Sequence, residues 1–161
     1  MMNRPELPQV TIYTDGACTG NPGPGGYGVV LIYKDRRKEL SRGFRKTTNN
    51  RMELMALIEA LQALREKCQV TLFTDSKYVA DSINQGWARR WQAQDWKRSK
   101  KERALNPDLW ERLLNLLDGH QIEVKWLKGH AGIPENERAD RLAVQAIKSG
   151  SLEIDHVYEN T

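Results

Sequence analysis

Residues 10–33 read VTIYTDGACTGNPGPGGYGVVLIY, in which a glycine- and proline-rich segment separates two apolar segments. The alternation over 10–14 and the β-branched run after the last glycine predict two antiparallel strands. The segment also contains the spacing G-x-G-x-x-G, at Gly23, Gly25 and Gly28, which is found in dinucleotide-binding loops. In those loops the glycines open a helix, whereas here they open a strand, and no Gly-Lys-Ser/Thr motif follows. The pattern therefore predicts a hairpin and argues against a nucleotide-binding loop.

Beyond the hairpin, the apolar pattern predicts one more antiparallel strand and then strands that alternate with helices. KELSRGF (38–44) is the third strand, QVTLFTD (69–75) the fourth and IEVKWLK (122–128) the last. Helical spacing or capping signals begin at four places: Met52, Ser76, Pro107 and Pro134. This order predicts a single α/β domain over residues 1–161, with a mixed sheet and a core over about 10–148. Residues 149–161 show no periodicity, and we expect a flexible tail there.

Composition and charge restrict the class of protein. The chain has 161 residues, of which 39% are hydrophobic and 29% charged, as in ordinary globular domains. It contains no apolar run of membrane-spanning length and no signal core near its first residue, so we expect a cytoplasmic protein without a membrane partner. Cys18 and Cys68 form no disulfide framework and are expected to be reduced. No obvious apolar patch demands a partner, so we expect a monomer.

Positive charge is concentrated in residues 87–105, WARRWQAQDWKRSKKERAL, which we name the basic handle. It has seven Lys or Arg residues against two acids, a net charge of +5. Because the whole chain carries +4, the remaining residues sum to −1. A basic patch on a nearly neutral body is typical of a protein that binds a polyanion such as a nucleic acid.

Four carboxylates occupy positions where burial would be unfavourable without a partner. They are Asp15 on the inward side of the first strand, Glu53 in the first turn of a helix, Asp75 at a strand end and Asp140 beside the apolar stripe of the last helix. Three of them also have ordinary alternatives. Glu53 could complete a capping box with Asn50, and Asp75 could be a turn residue. Asp140 could form an ion pair with Arg138 or Arg141.

The four acids together predict a metal site. If the first and fourth strands are neighbours, their acids meet at one edge of the sheet, where they would repel one another unless cations neutralise them. Oxygen ligands without His or Cys favour Mg²⁺ or Mn²⁺. Two such ions about 4 Å apart suit in-line displacement at phosphorus. With the basic handle, this predicts metal-dependent phosphodiester chemistry on a nucleic acid.

Four segments resemble motifs of bacterial type 1 ribonuclease H: YTDGACTGNPGPGGYG, TTNNRMELMALIEAL, FTDSKYV and KGHAGIPENERADRLA, in order between about Val10 and Ile147. The resemblance implies a ribonuclease H-like fold with a five-stranded mixed sheet, three strands antiparallel and two parallel, flanked by helices and bearing a basic helical handle. It implies an endonuclease that hydrolyses the RNA strand of RNA·DNA hybrids by in-line attack of water, leaving 3′-hydroxyl and 5′-phosphate ends. The implied metal ligands are Asp15, Glu53, Asp75 and Asp140, for two Mg²⁺ ions with substrate, or Mn²⁺ as a substitute.

The resemblance also implies a catalytic histidine. Family members use a histidine in a mobile loop to relay a proton or to help the product leave, and this residue matches His130. Gly129 and Gly132 give the loop the freedom that such a role requires, and an ordinary pKa of about 6.5 suits proton relay. The alternative is a solvated loop histidine.

The substrate contacts are implied by the same family pattern. The 2′-hydroxyls of the minor groove mark the RNA strand, and glycines would let the main chain approach the sugar–phosphate backbone. The implied contacts are Gly16, Cys18, Asn21, Thr48, Asn49, Asn50, Lys77, Trp91, Trp96, Lys97, Arg98, Lys100 and Lys101. Helix capping is an alternative for the asparagines, and we expect Trp87 to pack the basic handle onto the body. QAQ at 92–94 and Lys77 depart from the usual family residues, which affects the expected affinity but not the reaction.

Two other functions fit the same residues. One is a nuclease or polynucleotide transferase of the same fold that acts on DNA. The other is a module that binds hybrids without cutting them.

Overall fold

The computed structural model describes residues 6–129 and 132–161, which form a six-stranded mixed sheet with helices on both faces. The strands are β1 (Gln9–Cys18), β2 (Gly23–Tyr33), β3 (Arg36–Thr47), β4 (Gln69–Thr74), β5 (Gln121–Trp126) and β6 (Leu152–Glu153). The helices are α1 (Asn49–Gln62), α2 (Lys77–Asn84), α3 (Trp87–Ala93), α4 (Pro107–Asp118), α5 (Pro134–Lys148) and α6 (His156–Glu159). No helix of the described residues is long and apolar enough to cross a membrane.

The strand order is β5-β4-β1-β2-β3-β6. The first three strands are antiparallel neighbours, and β4 and β5 run parallel to β1, as the sequence predicted. Side chains alternate between the two faces along β1, so that Ile12 joins the main core under α1 and α4 while Tyr13 packs on the opposite face, under α5. The pairing of β1 with β4 ends at Thr14 and Thr74, one residue before two of the acids.

Helix α5 packs directly on the backbone of the antiparallel strands because glycines leave room for it. A Cβ atom at Gly28 would lie 2.1 Å from the carbonyl oxygen of Ala139, and one at Gly26 would lie 2.6 Å from that of Ala143. Both distances are too short for a side chain. Gly26 and Gly28 therefore serve contacts inside the protein, and the approach of nucleic acid is not needed to explain them.

The sheet has a sixth strand beyond the five that we expected, and residues 149–161, where we predicted a flexible tail, contain secondary structure. Residues 152–153 add β6 as a sixth, parallel strand beside Gly43 and Phe44 of β3, and the short helix α6 follows. Asp155, between these two elements, has only 4% of its surface exposed. A two-residue strand is too short to leave a periodic pattern in a sequence. Tertiary contacts hold the segment in place instead.

The basic handle is only partly helical. Within it, α3 ends at Ala93, and a loop with a bridge between Lys97 and Arg103 follows. The expectation that Trp87 packs the basic handle onto the body does not match the structure. Trp91 is buried and packs against Tyr78 and Trp110, with ring centroids 6.4 and 6.1 Å away, whereas Trp87 remains 37% exposed. It is therefore Trp91 that packs α3 onto the body.

Candidate active site

Three elements bring three acids together at the end of the β1–β4 pairing. Asp15 follows Thr14 on β1, Asp75 follows the last residue of β4, and Glu53 lies in the first turns of α1. Carboxylate oxygens of the three lie within 4.8 Å of one another. We name these residues the acid cluster. Neighbouring strand ends and the start of a covering helix therefore produce the convergence predicted from the sequence.

Asp140 lies at the edge of the same site. Its side chain on α5 is exposed, interacts with that of Asp15, and helps to line a cleft of about 310 Å³ that also contains the acid cluster. For Glu53 and Asp140, the described structure contains different contacts from the ordinary alternatives. Thr48 caps α1 in place of Asn50, and Arg138 pairs with Glu39, at 2.9 Å, instead of Asp140.

Within the part of the chain that the structure describes, no basic side chain compensates the charge of the acid cluster. Burial, and then the charges of Glu53 and Asp75, raise the pKa of Asp15 far above its ordinary value. The pKa of Glu53 is raised by its burial and by the charge of Asp75, and burial likewise raises the pKa of Asp75. Among residues 6–129 and 132–161, no Lys or Arg forms an ion pair with any of the three.

These residues fit a hard divalent cation. The Oε2 atom of Glu53 is buried and accepts no hydrogen bond from the described residues. An orphaned carboxylate oxygen among converging carboxylates is costly unless a cation binds there. All the donors are oxygen atoms, the type that Mg²⁺ and Mn²⁺ prefer.

Asn136 is a site residue that the sequence analysis missed. It is 6% exposed, lines the cleft, and has an Oδ1 atom without a hydrogen-bond partner in the described structure. It precedes Asp140 by one helical turn on α5, so both side chains lie on the same face of the helix. That spacing of four was visible in the sequence and could have identified it.

Several of the predicted substrate-binding residues surround the start of α1. The Thr48 hydroxyl accepts a hydrogen bond from the amide of Arg51 at 3.2 Å, and the Asn21 side chain accepts one from the amide of Asn49 at 3.0 Å. Asn49 lines the cleft, and the next residue, Asn50, is half-buried. Capping and groove lining therefore coexist at this turn.

Two of the predicted substrate-binding residues are buried or half-buried. Gly16 is buried, and a Cβ atom there would lie 2.5 Å from the amide nitrogen of Glu53, so its small size allows α1 to approach β1. Cys18 is half-buried, with its thiol 3.5 Å from the carbonyl oxygens of Gly23 and Thr47.

Lys77 follows Asp75 of the acid cluster by two residues and lies next to an exposed tryptophan that the sequence analysis did not identify. Its ammonium is 5.6 Å from the ring centroid of Trp126, a cation–π distance. Trp126 is 45% exposed, and its indole N–H donates a hydrogen bond to the carbonyl of Asp75 at 3.2 Å. Trp126 therefore contacts both the backbone of one acid and a predicted substrate-binding lysine.

The remaining predicted contacts lie in the basic handle. Lys97, Arg98, Lys100 and Lys101 are exposed, and Trp96 is half-buried. Trp91 is 9% exposed and the Arg98 guanidinium lies 5.8 Å from its ring centroid, which leaves little of the ring for a ligand. Trp91 has a packing role in the structure, and its predicted contact with the substrate stays a prediction. His130 lies outside the described residues.

The sequence and fold match one family. A sequence model of the RNase H family matches residues 8–148. The chain belongs to the RNase H family. Ribonuclease H of Desulforamulus reducens is 63% identical over 149 residues, covering 92% of this chain and 94% of the relative. Ribonuclease HI of Synechocystis is 56% identical over 147 residues, covering 91% and 92%.

Solved structures of RNase H proteins have the same fold. LC9-RNase H1, described as a type 1 RNase H with the type 2 active-site motif, superposes with a TM-score of 0.81 at 34% identity, covering 93% of this chain and 76% of that one. LC11-RNase H1, solved in complex with an RNA/DNA hybrid, gives a TM-score of 0.63 at 26% identity, covering 87% and 97%. The resemblance to ribonuclease H and the ribonuclease H-like fold predicted from the sequence are confirmed.

Proposed function

We propose that this chain is an endonuclease that hydrolyses the RNA strand of RNA·DNA hybrids, leaving 3′-hydroxyl and 5′-phosphate ends. The observation that carries the proposal is the acid cluster, three converging carboxylates that form no ion pair with a Lys or Arg of the described residues, in a chain of the RNase H family. The hybrid bound to LC11-RNase H1 supports the choice of substrate.

Asp15, Glu53, Asp75 and Asp140 are the residues that would hold the divalent ions, Mg²⁺ with Mn²⁺ as a substitute. When bound, such ions lower the pKa of water and neutralise charge on the phosphate and on the leaving oxygen. The chain supplies the rigid positions of these ligands, because α1 and α5 both pack closely on glycine residues of the sheet.

The chain's own residues orient the substrate and the protons around that site. The unpaired Oδ1 of Asn136 can accept a hydrogen bond from a water molecule at the cleft. Thr48 and Asn49 present hydroxyl and amide groups at the start of α1, where backbone N–H groups favour a phosphate. His130 is proposed as the proton relay on the family resemblance alone.

The basic handle adds affinity that does not depend on base sequence. Its lysines and arginines are exposed and are proposed to contact phosphates of the DNA strand, with counterion release as the driving force. Lys77, two residues after Asp75, is proposed to contact the substrate backbone closer to the scissile bond. A cytoplasmic monomer remains our expectation for the protein as a whole.

The experiment that tests the proposal is a cleavage assay on matched substrates. RNA·DNA hybrid, duplex RNA, single-stranded RNA and duplex DNA of one sequence are incubated with Mg²⁺ or with EDTA. We expect cleavage of the RNA strand of the hybrid alone, only with Mg²⁺, and none by Asp15→Asn. Cleavage of duplex DNA would favour another nuclease of this fold, and binding of the hybrid without cleavage would favour a binding module.

A further inference from the structure

A buried ion-pair network joins the end of the chain to the start of α1. Asp155 accepts hydrogen bonds from Arg51, at 2.7 Å from Nε and 3.0 Å from Nη2. Its Oδ2 also accepts one from the hydroxyl of Thr47 at 2.8 Å. The three residues are between 0 and 4% exposed. These contacts fix a side chain of the terminal segment against both ends of the turn that leads from β3 into α1.

Arg51 also holds a third part of the structure. Its guanidinium donates to both carboxylate oxygens of Asp108, at 2.9 and 2.8 Å, and to the Asn106 side chain at 3.2 Å. Asn106 and Asp108 follow the basic handle and begin α4. The start of α1, the end of the basic handle and the terminal segment therefore share one buried cation.

The turn held by this network carries the groups that we propose to face the substrate. Thr48 and Asn49 lie between Thr47 and Arg51, and Glu53 of the acid cluster follows Arg51 by two residues. Buried charge-assisted hydrogen bonds have narrow geometry, so they limit the movement of the backbone between them. The family match ends at residue 148, before Asp155.

We infer that Asp155 is a positioning residue for substrate binding, holding the Thr48–Asn49 turn through Thr47 and Arg51. Asp155 does not contact the cleft and acts only through those two residues. This inference rests on the proposed function, since it assigns the turn to the hybrid. The rest of the terminal segment, residues 152–159, serves to hold Asp155 in place: its Oδ1 caps α6 by accepting from the Tyr158 amide.

The test compares Asp155→Asn with a matched control, Glu159→Gln, in the full chain. Glu159 belongs to the same segment but pairs with Arg45 on the exposed surface, at 2.9 Å. Both variants are assayed on hybrid at a temperature well below their melting temperatures. We expect Asp155→Asn to raise KM at least about fivefold with kcat within about twofold, because binding geometry is lost and the metal ligands remain. The control should retain the KM of the unchanged protein.

A second pair of variants covers the case in which Asp155→Asn does not fold. Thr47→Val removes only the hydroxyl that donates to Asp155, while Thr47→Ser keeps it. We expect Thr47→Val to raise KM and Thr47→Ser to restore it. A merely structural role would lower the melting temperature in these variants without changing KM below it.

Hydrogen exchange provides a measurement that does not depend on activity. The amides of Arg51 and Met52 donate to Thr48, at 3.2 and 3.1 Å, and report on the turn directly. We expect their exchange to accelerate at least about tenfold in Asp155→Asn. Unchanged exchange and unchanged KM in both Asp155→Asn and Thr47→Val would overturn the inference. Failure of the unchanged protein to cleave hybrid would instead contradict the proposed function.

Discussion

Two groups of carboxylates include or contact residues in the first turns of α1, and they differ in what neutralises them. In the acid cluster, Glu53 meets Asp15 and Asp75, and all three pKa values are raised. In the network around Arg51, burial alone would raise the pKa of Asp155, but hydrogen bonds from Arg51 and Thr47 lower it. A buried acid that is paired with a cation favours the fold, whereas a cluster with no such partner among the described residues is the arrangement expected of a cation site.

Removing a charge from the acid cluster should have the largest effect on activity. We expect Asp15→Asn or Asp75→Asn to lower kcat/KM by about a thousandfold or more, because several kcal/mol of metal-ion stabilisation is lost. The same change relieves repulsion, so the melting temperature of the metal-free protein should stay the same or rise. Cleavage assays and calorimetry in EDTA measure the two effects. Full activity in either variant would remove that residue from the site.

Removing the charge of Arg51 should mainly lower the stability of the fold. Arg51→Met leaves Asp155 and Asp108 without their cation, which should destabilise the fold by about 3–5 kcal/mol. Equilibrium unfolding in urea measures this loss. Glu159→Gln, which breaks an exposed pair, is the matched control and should change stability little. Equal stability of the two variants would contradict the distinction drawn between buried and exposed pairs.

The two groups should also give opposite slopes in the dependence of stability on pH. For the acid cluster, the folded pKa values lie above the unfolded ones, so its contribution is full below the ordinary Asp value of 3.8 and is lost as pH rises. For Asp155 the folded pKa is lowered, so its contribution is present above 3.8 and is lost as pH falls further.

The measurement is the melting temperature in EDTA across pH. We expect it to fall on the alkaline side, and Mg²⁺ to raise it more at pH ~8 than at pH ~5 because only ionised carboxylates bind the ion well. Asp15→Asn should flatten the alkaline slope and leave the acid one unchanged. The same alkaline slope in Asp15→Asn would show that other groups cause it.

Removing exposed charges of the basic handle should have the smallest effect on activity. We expect the double variant Lys100→Gln, Lys101→Gln to raise KM with kcat nearly unchanged. The slope of the logarithm of the binding constant against the logarithm of salt concentration should become shallower by roughly one for each phosphate that is no longer neutralised. Binding titrations at several salt concentrations measure the slope. A large loss of kcat at constant KM would contradict a pure binding role for these lysines.

The sequence predicted the parts of the fold and site that depend on local pattern. Alternation and helical spacing located the strands and helices, and the placement of Asp15 and Asp75 at neighbouring strand ends predicted their convergence. The terminal segment was missed because β6 has two residues and depends on Asp155 reaching Arg51 across the fold.

Other errors came from side-chain directions that spacing does not specify. Trp87 and Trp91 are four residues apart on α3 and equally apolar, yet only Trp91 reaches Tyr78 and Trp110. Asn136 resembles any polar residue in the first turn of a helix until the cleft beside it is known. The family resemblance supplied the roles of the acids, but it could not show which side chains are enclosed.

The glycines under α5 have a consequence for the interpretation of inactive variants. Alanine at Gly28 would push the helix outward at Ala139, the residue immediately before Asp140. Such a variant would lose its fourth carboxylate from the cleft without any change to a group that touches metal or nucleic acid. A random mutagenesis screen for loss of activity should therefore recover small-to-larger substitutions along β2 together with changes to the acids. In the β2 variants the loss of activity would come from displacement of a whole helix.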